Sequence, residues 1–367
     1  MYIRHGVQYN PANEIDEMRS LLAHELYHTA TWPLVPNACP GGIGGQGCTY
    51  ALTEDLRWWM EATATWAQPK VHPQDGSYVL GLSPVLVTKP FTRLTSHFPF
   101  FADDKAYGSF ILATYLEKKI ARQQNPANAA VIVLQVWQYF HDHGGDIVTA
   151  IDQVLQQPEY NTSFREMFPE FAWTNYFLNA GTYTDQVRAF SNVNAVQGLV
   201  DGAEWELFRD RLGRVNPSIA GVGVLNKPML PNSQISGPGG SETRTIEHLG
   251  ILYLEFVRDQ NWPANTPANL SLSIRLVGAA SLQDAANRPR VSVIAIQPNT
   301  FAVSPHQPNF FVAPNLTNED LIYETTINGF DDMDRIAVII SNFAGFDLSP
   351  DSGFPIFYTY EAQVLPP

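Results

Sequence analysis

The chain lacks long apolar runs and is poor in basic residues. No run of about 18 apolar residues occurs, so the sequence predicts no membrane-spanning helix. Its 22 lysines and arginines stand against 36 aspartates and glutamates, which gives a formal net charge of −14. This balance argues against partners such as nucleic acid or an anionic membrane surface. An apolar fraction of 45% over 367 residues, without repeats or low-complexity tracts, predicts a globular protein with two or more domains.

A His-Glu-x-x-His motif at residues 24–28 carries the strongest chemical signal. Four residues of α-helix turn through about 400° and rise about 6 Å, so His24 and His28 point the same way and can share one metal ion. Glu25 follows the first imidazole, where a carboxylate can take a proton from a water that the metal activates. The alternative is an ordinary amphipathic helix whose two histidines line a core.

The residues around this motif predict a helix with Asn13 as its N-cap and an end near Pro33. Four apolar residues at helical spacing predict its buried face: Ile15, Met18, Leu22 and Leu26. Only about a dozen residues precede Asn13, which leaves room for one strand before the helix.

A second predicted helix can supply the third ligand that a catalytic zinc needs beside an open position. Residues 53–69 have Thr53 as an N-cap, acids in the first turn, and Pro69 as a stop signal. Glu61 lies inside this segment. A helix there can place Glu61 against the first helix.

The motif at residues 24–28, followed by a helix that carries Glu61, resembles the gluzincin-type zinc metallopeptidases over about the first 180 residues. Residues 58–66 read Trp-Trp-Met-Glu-Ala-Thr-Ala-Thr-Trp. They are similar to the Trp-x-x-Glu-Gly-x-Ala-x-Trp pattern of many secreted bacterial members, with Ala62 in place of the usual glycine.

The resemblance implies that His24, His28 and Glu61 bind Zn²⁺ and that Glu25 is the general base of peptide-bond hydrolysis. The chain departs from the family in two places. First, 32 residues separate His28 from Glu61, which implies a loop insertion. Second, Thr65 stands where an acid often follows, which removes a familiar partner of a ligating histidine.

The resemblance also implies a donor that stabilises the oxyanion of the reaction, and a sheet before the metal helix. Tyr107, in a helix predicted over residues 103–119, is the catalytic candidate for that donor, with His97 as its alternative. Core packing explains Tyr107 equally well. Because so few residues precede the first helix, three alternatives stay open: a truncated mature form, a domain excised from a longer protein, and a family member that lost its upper sheet.

Cys39 and Cys48 flank a loop with five glycines. A disulfide across so short and flexible a loop is sterically easy, and it would fasten the rim of the zinc site. Two unrelated thiols are the alternative. A bridge indicates an oxidising compartment, so we expect a secreted protein whose signal segment is not in this chain.

The two halves of the chain predict different structures. Further helical patterns occur at residues 129–140, 146–155 and 163–177. The pair His141 and His143 could bind a metal, but histidines at a helix end are more common. From about residue 216, turn residues separate five apolar strand patterns: 251–257, 270–276, 291–296, 335–340 and 357–362. Such spacing is typical of an antiparallel β-sandwich.

These patterns together predict a multidomain α+β protein. Residues 1–205 form a mainly helical zincin-like metallopeptidase domain, and residues 216–367 form an accessory β-sandwich. The resemblance implies a protein or peptide as substrate, and we expect the sandwich to bind glycan, substrate or a neighbouring domain. Two alternatives remain: a non-catalytic extracellular binding or adhesion protein that retains a zinc site, and a zinc hydrolase of a non-peptide substrate.

Overall fold

The fold is α+β, with helices between residues 14 and 177 and strands between residues 224 and 365. The structure is a computed structural model, and it describes residues 14–35, 54–72, 105–124, 127–177, 224–237, 245–277, 288–296, 310–311, 314–317, 320–342 and 355–367.

The helices of the described residues follow the predicted order. They are α1 (Glu14–Thr31), α2 (Glu54–Val71), α3 (Lys105–Gly108), α4 (Phe110–Tyr115), α5 (Arg122–Gln124), α6 (Val131–His143), α7 (Ile147–Leu155) and α8 (Phe164–Phe177). The predicted start of α7 is confirmed in atomic detail, because the Asp146 carboxylate accepts a hydrogen bond of 2.7 Å from the Thr149 backbone N–H.

Two helix predictions were wrong in their ends or continuity. Pro69 does not stop α2, which continues to Val71 with the proline inside it. A proline removes one intrahelical hydrogen bond, but the His72 N–H still bonds the Gln68 carbonyl at 2.8 Å, so the last turn forms. The helix predicted over residues 103–119 is instead α3 and α4, followed by a π-helical segment at Leu116–Ala121.

Strands make up the second half of the described chain. They are β1 (Val224–Met229), β2 (Gln234–Gly237), β3 (Thr245–Ile246), β4 (Ile251–Arg258), β5 (Asn269–Val277), β6 (Arg290–Ile296), β7 (Phe310–Phe311), β8 (Pro314–Thr317), β9 (Asp320–Ile327), β10 (Arg335–Ser341) and β11 (Ile356–Leu365). The five predicted strands correspond to β4, β5, β6, β10 and β11, whereas six strands were not predicted: β1, β2, β3, β7, β8 and β9.

The strands form two sheets. The first has the order β1-β4-β10-β6-β7, and the second has the order β2-β11-β5-β9-β8, with β3 also paired to β11. Among the described residues, the strand pairs are antiparallel except β1 and β4, which run parallel with Val224 opposite Tyr253. The expectation of antiparallel pairing is therefore wrong for this one pair at the edge of the first sheet.

The first sheet is buried on both faces. Successive side chains of a strand point to opposite faces of the sheet. On β4, Leu252 and Leu254 lie in one hydrophobic cluster with residues of the second sheet. Ile251 and Tyr253 lie in another cluster with the helices. The helices therefore cover one face of the first sheet, and the second sheet contributes to the core on its other face.

Polar contacts join α8 to the first sheet. The Tyr176 hydroxyl donates to the carboxylate of Glu255 on β4, which also lies 3.2 Å from the Arg335 guanidinium. The Tyr253 hydroxyl donates to the Ala172 carbonyl of α8 at 3.0 Å. The predicted domain boundary between residues 205 and 216 lies outside the described residues, so the division into two domains stays a prediction.

Candidate metal centre

Helix α1 turns its polar face inward. Ser20, Ala23 and His24 are buried against the rest of the protein. The predicted buried face was wrong, because its members Met18, Leu22 and Leu26 are 65%, 58% and 57% exposed. The helical spacing of apolar residues identifies two faces of α1, but it does not decide which face packs against the rest of the protein. The small side chains at residues 20 and 23 lie on the packed face, and the larger apolar side chains lie on the outer one.

Helix α2 is buried around most of its circumference. Trp58, Trp59, Ala62 and Ala64 are fully buried. Glu61 is the acidic exception, with a side chain only 15% exposed. A carboxylate in such a position needs partners, since an unpaired buried charge is strongly unfavourable.

The partners of Glu61 are the two histidines of the motif. Its Oε2 atom lies 3.1 Å from His24 Nε2 and 3.5 Å from His28 Nε2, and the two Nε2 atoms are 3.0 Å apart. The structure thus brings together the three predicted ligands. Each offers one ligand atom, and the group could hold a metal ion.

The electrostatics of Glu61 follow from this geometry. Burial by itself raises the pKa of the Glu61 carboxyl, but hydrogen bonds and charge interactions with His24 and His28 outweigh burial and hold the pKa well below its usual range. Glu61 is therefore a carboxylate at neutral pH, as a metal ligand must be.

Glu25, the predicted base, is exposed on α1. It lies about 100° around the helix axis from His24, between the inward histidines and the apolar outer face. The Glu25 side chain is therefore accessible to solvent. Its role as a base stays a prediction.

The remaining predicted groups cannot be placed beside the centre. Tyr107 belongs to α3, but its side chain is not among the described parts of the chain. His97, Cys39 and Cys48 also lie outside the described residues. The oxyanion donor and the disulfide therefore stay predictions.

His141 and His143 end α6. The ring of His143 stacks on Tyr139 at a centroid distance of 4.1 Å, and its Nδ1 lies 3.0 Å from the Tyr139 carbonyl oxygen. Both histidines are exposed. Their positions agree with the helix-end interpretation.

One buried group beside the centre was not predicted. Thr63 is fully buried, and its hydroxyl donates to the Trp59 carbonyl at 2.8 Å and accepts from the Trp137 indole N–H at 3.3 Å. Burial raises the pKa of the Tyr27 hydroxyl to about 12, and interactions with Thr63 and Trp137 lower it by less. The sequence signal for this group is a threonine among the apolar residues of the second predicted helix. A hydroxyl that is buried with such neighbours needs hydrogen-bond partners.

The comparisons with known proteins do not identify the chain. No family model matches it, and no curated protein matches it. Among solved structures, it is similar to the crystal structure of Aeromonas hydrophila PliG, a periplasmic lysozyme inhibitor of g-type lysozyme. The sequence identity is 8%, the match covers 39% of this chain and 97% of that chain, and the TM-score is 0.21. A likeness at this TM-score carries no argument about fold or function.

Within the described residues, none of the helices has the length and apolarity needed to cross a bilayer.

Proposed function

We propose that the protein is a secreted zinc metallopeptidase that hydrolyses peptide bonds. The observation that carries the proposal is the convergence of His24 Nε2, His28 Nε2 and Glu61 Oε2 within 3.0 to 3.5 Å of one another. The resemblance of these residues to the gluzincin pattern gives the convergence its chemical meaning.

The donor atoms fit zinc. Zinc–nitrogen and zinc–oxygen bonds of about 2.0 to 2.1 Å, in tetrahedral geometry, place the ligand atoms about 3.3 Å apart. The three separations here, 3.0, 3.1 and 3.5 Å, bracket that value. Two imidazole nitrogens and one carboxylate oxygen are also the ligand set of a class of catalytic zinc sites with an open fourth position.

The chemistry of the lone pairs supports a cation at this point. Two histidine Nε2 atoms face each other at 3.0 Å, and both face the carboxylate of Glu61. If both imidazoles carry their proton on Nδ1, as metal-bound imidazoles do when they bind through Nε2, three lone pairs meet. A metal ion satisfies all three at once.

In the proposed reaction, bound zinc supplies Lewis-acid polarisation of the scissile carbonyl and lowers the pKa of water. The Glu25 carboxylate takes the proton of the attacking water and later donates it to the leaving amine. Glu25 can do so because it is exposed on the same helix, next to His24. Tyr107, or His97, is proposed as the donor to the oxyanion.

The proposal extends to the architecture and the location. We interpret the helical part as a zincin-like catalytic domain and the two sheets as a β-sandwich that follows it. The sandwich is proposed as an accessory module for glycan, substrate or a neighbouring domain. The secreted location is proposed from the predicted Cys39–Cys48 bridge.

Elemental analysis and a peptide-library digest test this proposal together. The purified protein should contain close to one zinc per chain, and it should cleave peptides in a library read by mass spectrometry. Chelation should abolish cleavage, and added zinc should restore it. Absence of zinc would refute the proposed metal site. Zinc without any peptide cleavage would favour the binding protein or the non-peptide hydrolase.

A further inference from the structure

Between residues 56 and 68, helix α2 reaches solvent on one face only. Every residue of this stretch is buried except Arg57, which is exposed, and Glu61, which is partly buried. The two residues lie four positions apart, so they share one face of the helix and are separated by about 6 Å along its axis. The face of α2 that solvent reaches is therefore the face that carries the proposed metal ligand.

The metal centre is accessible from this same face. The side chains of His28 and Glu61 are 20% and 15% exposed, whereas that of His24 is only 5% exposed. A substrate in solution therefore reaches the three ligand atoms from the side of His28 and Glu61. Because Arg57 shares the face of Glu61, its guanidinium group borders this approach to the metal centre.

The charge of Arg57 is available to a ligand. An arginine and a glutamate four residues apart on a helix can form an ion pair, but the Glu61 carboxylate faces His24 and His28 instead. None of the ion pairs between described residues includes Arg57. The chain as a whole has a formal net charge of −14, which repels an anionic substrate. An exposed cation beside the metal centre supplies the local attraction that such a substrate needs.

A guanidinium group selects its partner by shape as well as by charge. Its planar fork of N–H donors matches the two oxygens of a carboxylate and binds them through parallel hydrogen bonds. Carboxylates are also the anionic groups that peptides carry, at the C-terminus and on acidic side chains. An extended peptide advances at most about 3.6 Å per residue. A guanidinium group whose helix position lies about 6 Å from that of Glu61 therefore meets the substrate within about two residues of the scissile bond.

We propose that Arg57 is a substrate-binding residue that recognises a carboxylate within about two residues of the scissile bond. The inference rests on the proposed function, and it narrows the substrate class to anionic peptides. Two sources supply such a carboxylate. Recognition of the C-terminus gives a peptidase that removes the end of its substrate, and recognition of an acidic side chain gives one that cleaves beside acidic residues.

Calorimetric titration of the zinc-loaded full chain tests the proposal. Glu25→Gln is the background, because it should bind peptides without consuming them. Three N-acetylated alanine tripeptides are compared: one ends in a free carboxylate, one ends in an amide, and one ends in an amide with glutamate as its last residue. We expect at least one of the two carboxylate peptides to bind about 10- to 100-fold more tightly than the neutral amide, as is usual for hydrogen bonds between charged groups. The peptide that gains affinity identifies the source of the carboxylate.

In the same background, Arg57→Gln should remove this preference for a carboxylate. Arg57 is exposed, so we expect its substitution to change stability little and to leave the zinc content equal by elemental analysis. The matched control is Arg19→Gln. It removes the same charge from an exposed position of α1, about 140° around the helix axis from His24, and it should retain the preference.

The outcomes separate this inference from the proposed function. A carboxylate preference that survives Arg57→Gln, or no preference in the Glu25→Gln protein, would overturn the inference. Protein without zinc would refute the metal site, and the inference with it. Turnover of the same peptides by wild type tests the proposed function separately. If zinc-loaded wild type cleaves none of them, while an Arg57-dependent preference is present, the peptidase is contradicted and Arg57 stands as the carboxylate site of a binding protein.

Discussion

Replacing Glu255 by alanine tests how the helices that carry the metal centre are fixed to the first sheet. Its side chain is 4% exposed and pairs with Arg335, and it accepts a hydrogen bond from the Tyr176 hydroxyl of α8. Removing one member of a buried ion pair costs about 3 to 5 kcal/mol. Arg335 is 22% exposed and keeps Asp334 at 2.7 Å, so we expect the low end, about 3 kcal/mol.

The helices and the first sheet share one hydrophobic cluster, so this loss should lower the stability of both. Urea unfolding read by hydrogen-exchange mass spectrometry follows helical and strand peptides separately. We expect the midpoints of α2, α6, β4 and β10 to fall together. Glu361→Ala, at an exposed position of β11, is the control and should change stability by less than about 0.5 kcal/mol. A fall confined to the strand peptides would refute the reasoning, because it would mean that the contacts of Glu255 do not stabilise the helices.

Two further predictions concern α1. His28→Ala removes a ligand whose side chain is 20% exposed, so we expect it to lose zinc by elemental analysis while its circular dichroism stays near wild type; full zinc in this variant would contradict the ligand assignment. Because the pKa of Tyr27 is raised from 10.0 to about 12, folding favours its neutral form. That stabilisation is present below pH 10 and is lost as the pH rises through about 12. Ultraviolet titration of wild type against Tyr27→Phe should show one tyrosine fewer ionising near that pH, and a difference at ordinary tyrosine pKa would contradict the burial argument.

The sequence predicted the elements that have strong local signals. The strand patterns became β4, β5, β6, β10 and β11, because long apolar runs between turn residues suit strands with buried faces. The grouping of His24, His28 and Glu61 was predictable because the spacing of the two histidines places both on one side of a helix, and because Glu61 is the acid beyond the first turn of the second helix. Each of these signals comes from residues within a single helix or strand.

The errors concern packing between elements. The exposed face of α1 has the same period as a buried face, and only the contact with α2 decides between them. Pro69 was predicted to stop α2, but the helix continues to Val71, and the His72 N–H bonds the Gln68 carbonyl at 2.8 Å. The parallel pairing of β1 with β4 and the contacts of Thr63 depend on residues far apart in sequence. Local patterns carry no information about such contacts.

Peptide turnover by Glu25→Gln is the measurement that tests the central proposal most directly. Glutamine keeps the size of the side chain but cannot accept the proton of the attacking water. With the same zinc content as wild type, the variant should cleave the best library peptide about 10² to 10⁴ times more slowly. Equal turnover by wild type and Glu25→Gln, at equal zinc content, would contradict the proposal that the His24, His28 and Glu61 site hydrolyses peptides with Glu25 as its base.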